Sequence, residues 1–263
     1  MMDLADRHAA ARQLAAGRLE GSVIGHLPDT LCPRDLADAY DVQDVVHDVL
    51  EAAGHGRVTG HKIGCTTPVM QAFLNIATPC AGGVFDTTAR TVEGAFRHAD
   101  FRHVGVECEI AVCLGEDLPD GPYDRASVAP AVAAVMAAIE VVDDRYDDYE
   151  SFDAPTLVAD DFFDAGCVLG SPVADWESLD LATLGGRMTI NGDEVGRGVG
   201  GDIMGHPLEA LAWLAELRAE RATPLRAGDF VLLGSVVETK WVEQGDLVEI
   251  DLDRLGRATA RFE

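Results

Sequence analysis

The stretch Val106-Glu107-Cys108-Glu109-Ile110-Ala111-Val112 decides how the body of this chain folds, because it has the apolar texture of a buried strand and yet carries two glutamates. A second stretch, Ala138-Ile139-Glu140-Val141-Val142, repeats the pattern with one glutamate. Residues two apart in a strand share a face, so Glu107 and Glu109 should point the same way, about 7 Å apart along the backbone. Burying a carboxylate is costly unless it is paired, protonated or bound to a cation.

A divalent cation is the simplest explanation for three acids in apolar strands. Mg²⁺ and Ca²⁺ take oxygen ligands, and Mg²⁺ often keeps waters that a substrate can displace. The alternative is that these glutamates lie at strand edges and face solvent. The spacing alone is compatible with both interpretations.

The charge of the chain limits its partners. Its 263 residues carry a net charge of −26, although 48% hydrophobic and 25% charged residues are ordinary for a globular protein. A nucleic-acid backbone or an anionic membrane would be repelled, so we predict neither as a partner. We interpret the charge mainly as a solubility property of the whole surface. An anionic substrate would need local positive charge, and the only lysines are Lys62 and Lys240.

Cysteine usage and the N-terminal sequence predict a cytoplasmic protein. No two cysteines have C-x-x-C spacing and several lie in apolar runs, which is typical of free buried thiols in a reducing compartment. The N-terminus is charged from Asp3 on, unlike a signal peptide, and no apolar run is long enough to span a membrane. The cysteines are Cys32, Cys65, Cys80, Cys108, Cys113 and Cys167.

The order of predicted elements indicates an α+β fold. Apolar residues at helical spacing predict helices over residues 2–19 and 33–54, so residues 1–57 should form a helical N-terminal region. From residue 58 the texture changes to short strands and glycine turns. We therefore predict a mixed-sheet body over residues 58–263.

Several elements of this body can be predicted one by one. Gly60-His61-Lys62-Ile63-Gly64-Cys65 is predicted as a strand, and Thr67-Pro68 as the start of a helix. An alanine-rich helix is predicted over residues 127–137, leading into the strand that holds Glu140. The glycine-rich run over residues 196–201 is predicted as a tight loop, because its G-x-G-x-x-G letters lack the context of a dinucleotide site. The remaining predicted elements are a helix over residues 208–221 and strands over residues 230–233, 247–252 and 258–262.

Six short segments, taken in order, carry a resemblance to a known enzyme family. They are Gly60-His61-Lys62-Ile63-Gly64, Glu107-Cys108-Glu109-Ile110-Ala111, Ile139-Glu140-Val141-Val142-Asp143, Val158-Ala159-Asp160, Gly205-His206-Pro207-Leu208 and Leu225-Arg226-Ala227-Gly228-Asp229. In these segments the chain resembles the 2-hydroxypenta-2,4-dienoate (2-keto-4-pentenoate) hydratase and 4-oxalocrotonate decarboxylase family, within the fumarylacetoacetate hydrolase superfamily. No single segment is decisive, but their order from the second helix to the C-terminus is specific.

The resemblance implies a mixed β-sheet rolled around the site, preceded by helices, and a homo-oligomer. It implies a divalent ion, usually Mg²⁺ or Mn²⁺, held by carboxylates that match Glu107, Glu109 and Glu140. Lys62 matches the active-site lysine of the family, and by the same match we take Asp160 as catalytic. The family's substrates are small 2-oxo acids or their enols, which can chelate the metal through one carboxylate oxygen and the 2-oxygen.

Two basic residues have both a functional and a structural interpretation. Lys62 is predicted to bind the substrate carboxylate or to move a proton, with a pKa lowered by burial near the metal. Its alternative role is a structural ion pair with a glutamate. Arg145, which follows two acids, is predicted to bind a substrate carboxylate bidentately, or else to pair with the acids near it.

Two departures from the family pattern affect the expected chemistry. Hydratases of the family often carry an acid after the proline in the loop that follows the lysine motif, and here Cys80 follows Pro79. They often read Asp-Asn-Ala-Ser in the later loop, where this chain has Asp160-Asp161-Phe162-Phe163. We expect Cys80, Phe162 and Phe163 to line a more apolar site that accepts a bulkier or aryl-substituted substrate. Alternatively, both rings pack in the core.

The sequence therefore predicts a metal-dependent lyase that adds water to a 2-hydroxy-2,4-dienoate or a related 2-oxo-enoate. A second hypothesis is another reaction on the same metal platform, either decarboxylation of a 2-oxo diacid or C–C hydrolysis of an acylpyruvate. A third is a scaffold recruited for ligand binding or cyclisation without hydratase chemistry. The missing serine and acid keep this third hypothesis open.

Overall fold

Two long helices open the chain. The computed structural model describes residues 2–263, and its first elements are α1 (Leu4–Glu20) and α2 (Leu36–Ala52). In each case the aspartate before the helix, Asp3 or Asp35, accepts a hydrogen bond from the backbone N–H of the third helical residue. Such caps satisfy donors that the first turn leaves free. The two predicted N-terminal helices are confirmed, with ends shifted by one to three residues.

A mixed sheet of twelve strands follows the two helices. The strands are β1 (Val58–Gly64), β2 (Cys80–Phe85), β3 (Ala89–Thr91), β4 (Glu93–Phe96), β5 (Val104–Leu114), β6 (Val132–Asp143), β7 (Asp164–Leu169), β8 (Gly185–Ile190), β9 (Asp193–Val199), β10 (Phe230–Trp241), β11 (Leu247–Leu252) and β12 (Gly256–Phe262). They are hydrogen-bonded in the order β2-β1-β10-β5-β6-β7-β3-β4-β12-β11-β8-β9. The pairs β1–β10, β3–β7 and β4–β12 are parallel. The predicted α+β class, helices followed by a mixed sheet, is confirmed.

Four further helices connect the strands. Thr67 caps the first of them through a hydrogen bond from the backbone N–H of Met70, as the Thr67-Pro68 pattern predicts. His206 caps the last one and Pro207 is its first residue, which also agrees with the sequence. These helices are α3 (Pro68–Phe73), α4 (Arg125–Val128), α5 (Ala154–Ala159) and α6 (Pro207–Glu220).

The three longest strands, β10, β5 and β6, are neighbours in the sheet. β5 pairs antiparallel with both neighbours, and its register with β6 sets Glu107 directly opposite Glu140. β1 runs parallel to β10 on the other side, with Lys62 opposite Leu232. The three glutamates and the lysine of the family motifs therefore lie within four consecutive strands of the sheet, β1, β10, β5 and β6.

The alanine-rich helix predicted over residues 127–137 is wrong for most of its length. Only α4 and one 3₁₀ turn precede Val132, and from there the chain is the twelve-residue strand β6. β6 is paired on both sides, by β5 and β7, and is almost entirely buried. Alanine favours helices only weakly, and a site between two strands with both faces covered overrides that preference.

The sheet is rolled so that β9 packs against β10. A Cβ on Gly198 would collide with the carbonyl oxygen of Val236, and a Cβ on Gly196 would collide with the side chain of Val237. Glycine in a strand allows such a close approach of two backbones. The tight loop predicted over residues 196–201 is therefore wrong for residues 196–199, which belong to β9.

The N-terminal helices and the sheet share a hydrophobic core. Leu14 of α1 and Val46 of α2 are fully buried in the same cluster as Ile110 of β5. The predicted division into an N-terminal helical region and a catalytic body rests only on the order of elements along the chain, and it stays a prediction. Over the described residues, no helix combines the length and the apolar character needed to cross a bilayer.

Candidate active site

Three glutamate side chains converge on the two adjacent strands β5 and β6. Glu107 and Glu109 lie on β5, and Glu140 lies on β6. One carboxylate oxygen from each residue lies within 4.8 Å of those of the other two. Glu109 and Glu140 are only 1% and 2% exposed, so these two do not face solvent at a strand edge.

Hydroxyl and backbone donors orient two of the three carboxylates. The hydroxyl of Thr239 donates a hydrogen bond to Glu107, and the backbone N–H of Gly234 donates to Oε2 of Glu109 at 2.9 Å. Gly234 has a φ of 123°, and a Cβ there would lie 2.7 Å from the side chain of Thr66, so this position requires glycine. Oε1 of Glu109 has no hydrogen-bond partner among the described residues.

Burial and repulsion between neighbouring carboxylates raise the pKa values of Glu107 and Glu109. Burial, and then the Glu140 carboxylate, raises the pKa of Glu107 to about 7. The same two causes raise the pKa of Glu109 well above its ordinary value. An all-carboxylate donor set suits a hard divalent cation, and the unpartnered Oε1 of Glu109 is a free ligand atom for it. The arrangement therefore fits a divalent metal site.

Lys62 lies beside the three glutamates. Its buried Nζ is 3.2 Å from Oε1 of Glu140 and donates a hydrogen bond to the carbonyl oxygen of Phe162 at 2.5 Å. Burial is the largest single influence on Lys62 and would lower its pKa, but Glu140 and the other acidic groups around it together outweigh burial and raise this pKa above its ordinary value. The lowered pKa expected from the sequence is therefore wrong, because the nearest charge is an acid. The ion pair with a glutamate, the structural interpretation of Lys62, is present.

The turn after α5 places an aromatic ring next to this lysine. Residues 161–163 all have left-handed backbones, with φ values of 55°, 47° and 68°. Each such residue costs about 1–3 kcal/mol, so the turn needs support from its surroundings. The ring of Phe162 lies 5.1 Å from Nζ of Lys62, whereas Phe163 packs edge-on against Tyr146. The structure thus places Phe162 at the site and Phe163 in an aromatic cluster, as the core-packing interpretation expects for that ring.

Asp161 supports the strained turn, a role that the sequence analysis does not assign. Its Oδ1 accepts a hydrogen bond from the backbone N–H of Gly83 at 2.8 Å and lies 2.7 Å from Nε2 of His47. Its Oδ2 lies 3.1 Å from the guanidinium of Arg18. Burial would raise the pKa of Asp161, but His47 and Arg18 hold it well below its ordinary value. The sequence contains one sign that this position is unusual, because Asp161 stands where the family often has an asparagine.

Asp160 and Arg145 lie together in a buried ion-pair network. Oδ1 of Asp160 accepts a hydrogen bond from Arg18 at 2.9 Å, and Oδ2 accepts from Arg145 at 2.9 Å and from the Tyr146 hydroxyl at 3.0 Å. Arg145 also donates to the backbone carbonyl of Asp164 at 2.9 Å. These contacts place Asp160 and Arg145 next to the strained turn. The contacts described for these two residues do not include any of the three glutamates.

Cys80 borders the space around the lysine. It is fully buried and pairs with Gly64, at the end of the strand that carries Lys62. A Cβ on Gly64 would lie 3.3 Å from Sγ of Cys80 and 3.6 Å from Nζ of Lys62. The thiol and the ammonium group therefore face the same small gap.

Asp164 is a further buried acid that the sequence analysis does not assign. It is 1% exposed, and its Oδ1 has no hydrogen-bond partner within the described part of the chain. Burial raises the pKa of Asp164 to about 8, although the Arg18 guanidinium opposes the rise, so the carboxyl is protonated at neutral pH. Asp164 lines a cavity of about 380 Å³ together with Arg18, Arg145 and Phe96. In the sequence Asp164 follows two phenylalanines, and this position does not predict a buried acid that lines a cavity.

Comparison with known families identifies the family to which this chain belongs. The family model for the C-terminal part of fumarylacetoacetate (FAA) hydrolase matches residues 79–263, which include all three glutamates. The chain belongs to the fumarylacetoacetate hydrolase family. The part of the chain that the family model matches starts just before β2. The N-terminal helices and Lys62 therefore lie outside the match.

Relatives that match almost the whole chain narrow the family further. A 2-keto-4-pentenoate hydratase from Burkholderia vietnamiensis strain G4 is 35% identical over 254 residues, covering 96% of this chain and 95% of its own. Two solved structures of 4-oxalocrotonate decarboxylase from Pseudomonas putida G7 are complexed with magnesium and adipate and with calcium and acetate. Their TM-scores are 0.93 and 0.92 at 31% and 30% identity, covering 100% of this chain and 99% of theirs. The resemblance to the hydratase and decarboxylase family is confirmed.

Proposed function

We propose that this fumarylacetoacetate hydrolase family member is a metal-dependent lyase that adds water to a 2-hydroxy-2,4-dienoate or a related 2-oxo-enoate. The observation that carries the proposal is the convergence of Glu107, Glu109 and Glu140 within 4.8 Å, beside a buried lysine. The hydratase relative, which is 35% identical over 96% of this chain, supports the same reaction.

Glu107, Glu109 and Glu140 are the residues that would hold the divalent cation, Mg²⁺ or Mn²⁺. The related decarboxylase structures contain magnesium or calcium. When bound, the cation supplies a Lewis acid that stabilises negative charge on the 2-oxygen of the substrate. Thr239 and the Gly234 backbone N–H orient two of the carboxylates for this role.

Lys62 would act as an acid and as an anchor for the substrate carboxylate. Of its three N–H groups, one donates to the Phe162 carbonyl and one faces Glu140, which leaves one for an incoming anion. Because its pKa is raised, the ammonium group stays charged at neutral pH and carries the proton that a general acid needs, although the same shift makes it a weaker acid than an ordinary lysine. Hydration of a dienol needs a proton at one carbon and water at another, and Lys62 is proposed to serve the first of these.

The other predicted site residues are proposed to shape the substrate pocket or to position it. Phe162 and Cys80 would line it with apolar surface next to the lysine. Asp160 and Arg145 would act indirectly, since their ion pair supports the turn that carries Phe162. Phe163 would support the same turn from the aromatic cluster behind it.

The decisive experiment measures turnover of 2-hydroxypenta-2,4-dienoate by the Mg²⁺-loaded protein. We expect loss of the dienol absorbance, a product heavier by one water, and abolition of both by a chelator with recovery on adding Mg²⁺. Glu109→Gln should be inactive, while Glu249→Gln, an exposed glutamate on β11, should behave as wild type. Turnover that a chelator leaves unchanged would overturn the metal-dependent mechanism.

Decarboxylation of a 2-oxo diacid is the second candidate reaction. It is favoured by the TM-score of 0.93 to a decarboxylase complexed with adipate, a dicarboxylate. Incubation with a 2-oxo-enedioate separates the two reactions, because a decarboxylase releases CO₂ and a hydratase does not. CO₂ release without water addition would replace the hydratase assignment.

We further propose that the protein is a homo-oligomer that works in the cytoplasm without nucleic-acid or membrane partners. The family resemblance supports the oligomer, and the net charge of −26 supports the exclusion of polyanionic partners. Light scattering of the purified protein measures the subunit number, and a monomeric mass would contradict the oligomer.

A further inference from the structure

We propose that Cys65 and Cys80 form a dithiol that a hydroperoxide converts into an intrachain disulfide beside the lysine of the active site. Their Sγ atoms lie 3.8 Å apart, and the thiol of Cys80 donates a hydrogen bond to the sulfur of Cys65. The proposed hydration uses no sulfur chemistry, so this pair is a site in its own right.

The strand pairing places the two cysteines in bonding reach. Gly64, the last residue of β1, pairs with Cys80, the first residue of β2, and Cys65 follows directly with a φ of 57°. The two cysteines are therefore diagonal neighbours at the ends of two antiparallel strands. Their Sγ atoms, 3.8 Å apart, need to approach by about 2 Å to reach the S–S bond length.

The two thiols differ in a way that assigns them separate roles. Cys65 is 7% exposed and Cys80 is fully buried, so an oxidant meets Cys65 first. The hydrogen bond from Cys80 lowers the pKa of Cys65 although burial opposes it, and Lys62 acts in the same direction as the hydrogen bond. The thiolate is the nucleophilic form of cysteine. Cys65 is thus the attacking thiol and Cys80 the resolving one.

The chemistry takes two balanced steps. The Cys65 thiolate attacks one oxygen of the hydroperoxide, the O–O bond breaks, and the leaving oxygen takes up a proton to form an alcohol (water, if the oxidant is hydrogen peroxide), with Cys65 left as a sulfenic acid. The sulfur of Cys80 then attacks the sulfur of Cys65, the S–S bond forms, the S–O bond breaks, and the released hydroxide leaves as water with the Cys80 proton. The two thiols lose two electrons in all, and the hydroperoxide gains them.

The disulfide would change the surroundings of Lys62. Because the Cys80 sulfur and Nζ of Lys62 face the same gap at Gly64, moving the sulfur toward Cys65 alters the packing next to the ammonium group. We expect oxidation to lower turnover several-fold and a thiol reductant to restore it. This consequence rests on the proposed function, whereas formation of the disulfide does not.

Oxidation of the full-length protein with hydrogen peroxide tests the pair. The structure has six free thiols, and we expect thiol titration in denaturant to fall by two, with a non-reducing peptide map showing Cys65 joined to Cys80. Cys65→Ser should form no such cross-link. Cys113→Ser, which removes a half-buried thiol at the far end of β5, should form it as wild type does.

Each outcome either tests the disulfide itself or shows whether the disulfide and the proposed hydratase function stand independently. Sulfinic acid at Cys65 with Cys80 still reduced, or oxidation of Cys32 or Cys113 while the pair stays reduced, would overturn it. The peptide map of the wild-type protein decides this even if Cys65→Ser does not fold. A cross-link in a protein that shows no turnover when reduced would refute only the proposed function. A cross-link that leaves turnover unchanged would refute the effect on Lys62.

Discussion

Glu109 is the residue at which metal binding can be separated from folding. Its carboxyl is buried, one of its oxygens has no hydrogen-bond partner within the described part of the chain, and its pKa is raised by burial and by the neighbouring Glu140. We expect Glu109→Gln to lose Mg²⁺ binding and to lower turnover at least about 100-fold, because a metal centre stabilises the transition state by several kcal/mol. The metal-free variant should be as stable as metal-free wild type or more so at pH 8, since a neutral amide replaces a carboxyl whose ionised form is disfavoured by burial and by Glu140. Calorimetric titration with Mg²⁺ and thermal unfolding measure both effects, and unchanged Mg²⁺ binding would remove Glu109 from the ligand set.

Lys62 can be tested against the only other lysine in the chain. Lys62→Met keeps the apolar stem and removes the ammonium group, so we expect Mg²⁺ binding to persist while kcat falls by about 10²–10⁴, the usual range for a proton-transfer group. Lys240→Met is the matched control, because Lys240 pairs with the exposed Glu238. If Lys62 were only the ion-pair partner of Glu140, its loss would weaken Mg²⁺ binding or folding and leave kcat close to wild type.

At the scale of single elements, the turn over residues 161–163 depends on Asp161. Its three left-handed residues are strained, and Asp161 receives hydrogen bonds or ion pairs from Gly83, His47 and Arg18. We expect Asp161→Ala to destabilise the protein by about 3–5 kcal/mol, as for a buried charge that loses its partner, and to lower kcat because the Phe162 carbonyl moves away from the lysine. Urea unfolding and steady-state kinetics measure the two effects. Asp193→Ala, at an exposed aspartate of β9, should change neither.

The same turn shows which parts of the site the sequence could predict. The period of two in a strand gives the common face of Glu107 and Glu109, and one antiparallel pairing then adds Glu140. The support of Asp161 was not predictable, because its partners come from α1, α2 and β2, and only the tertiary fold brings these together. The first half of β6 was predicted as a helix for a related reason. The alanines before Glu140 favour a helix locally, and the strands on both sides decide otherwise.

At the scale of the whole molecule, proton binding and metal binding should compete. Burial and the Glu140 carboxylate raise the pKa of Glu107 to about 7, above the ordinary value of 4.5 that we take for the unfolded chain. Between these two pH values the folded metal-free protein holds a proton that the unfolded chain releases. The contribution of Glu107 to stability is therefore fully present below about pH 4.5 and is lost as pH rises through 7. Asp161 does not offset this trend, because its lowered pKa confines its titration to more acidic solution.

A divalent cation should reverse this loss, because it takes the place of the proton. We expect the rise in Tm caused by Mg²⁺, relative to a chelator, to be small at pH 5 and to grow up to pH 8. At a Mg²⁺ concentration of 100 Kd the gain is about 2.7 kcal/mol, which for a chain of this size is roughly 5–10 °C. Screening of the net charge of −26 by Mg²⁺ could mimic part of this rise. Glu109→Gln controls for it, since its surface is unchanged and its metal site is not, and an equal pH-dependent rise in wild type and Glu109→Gln would show that the cation acts on the surface alone.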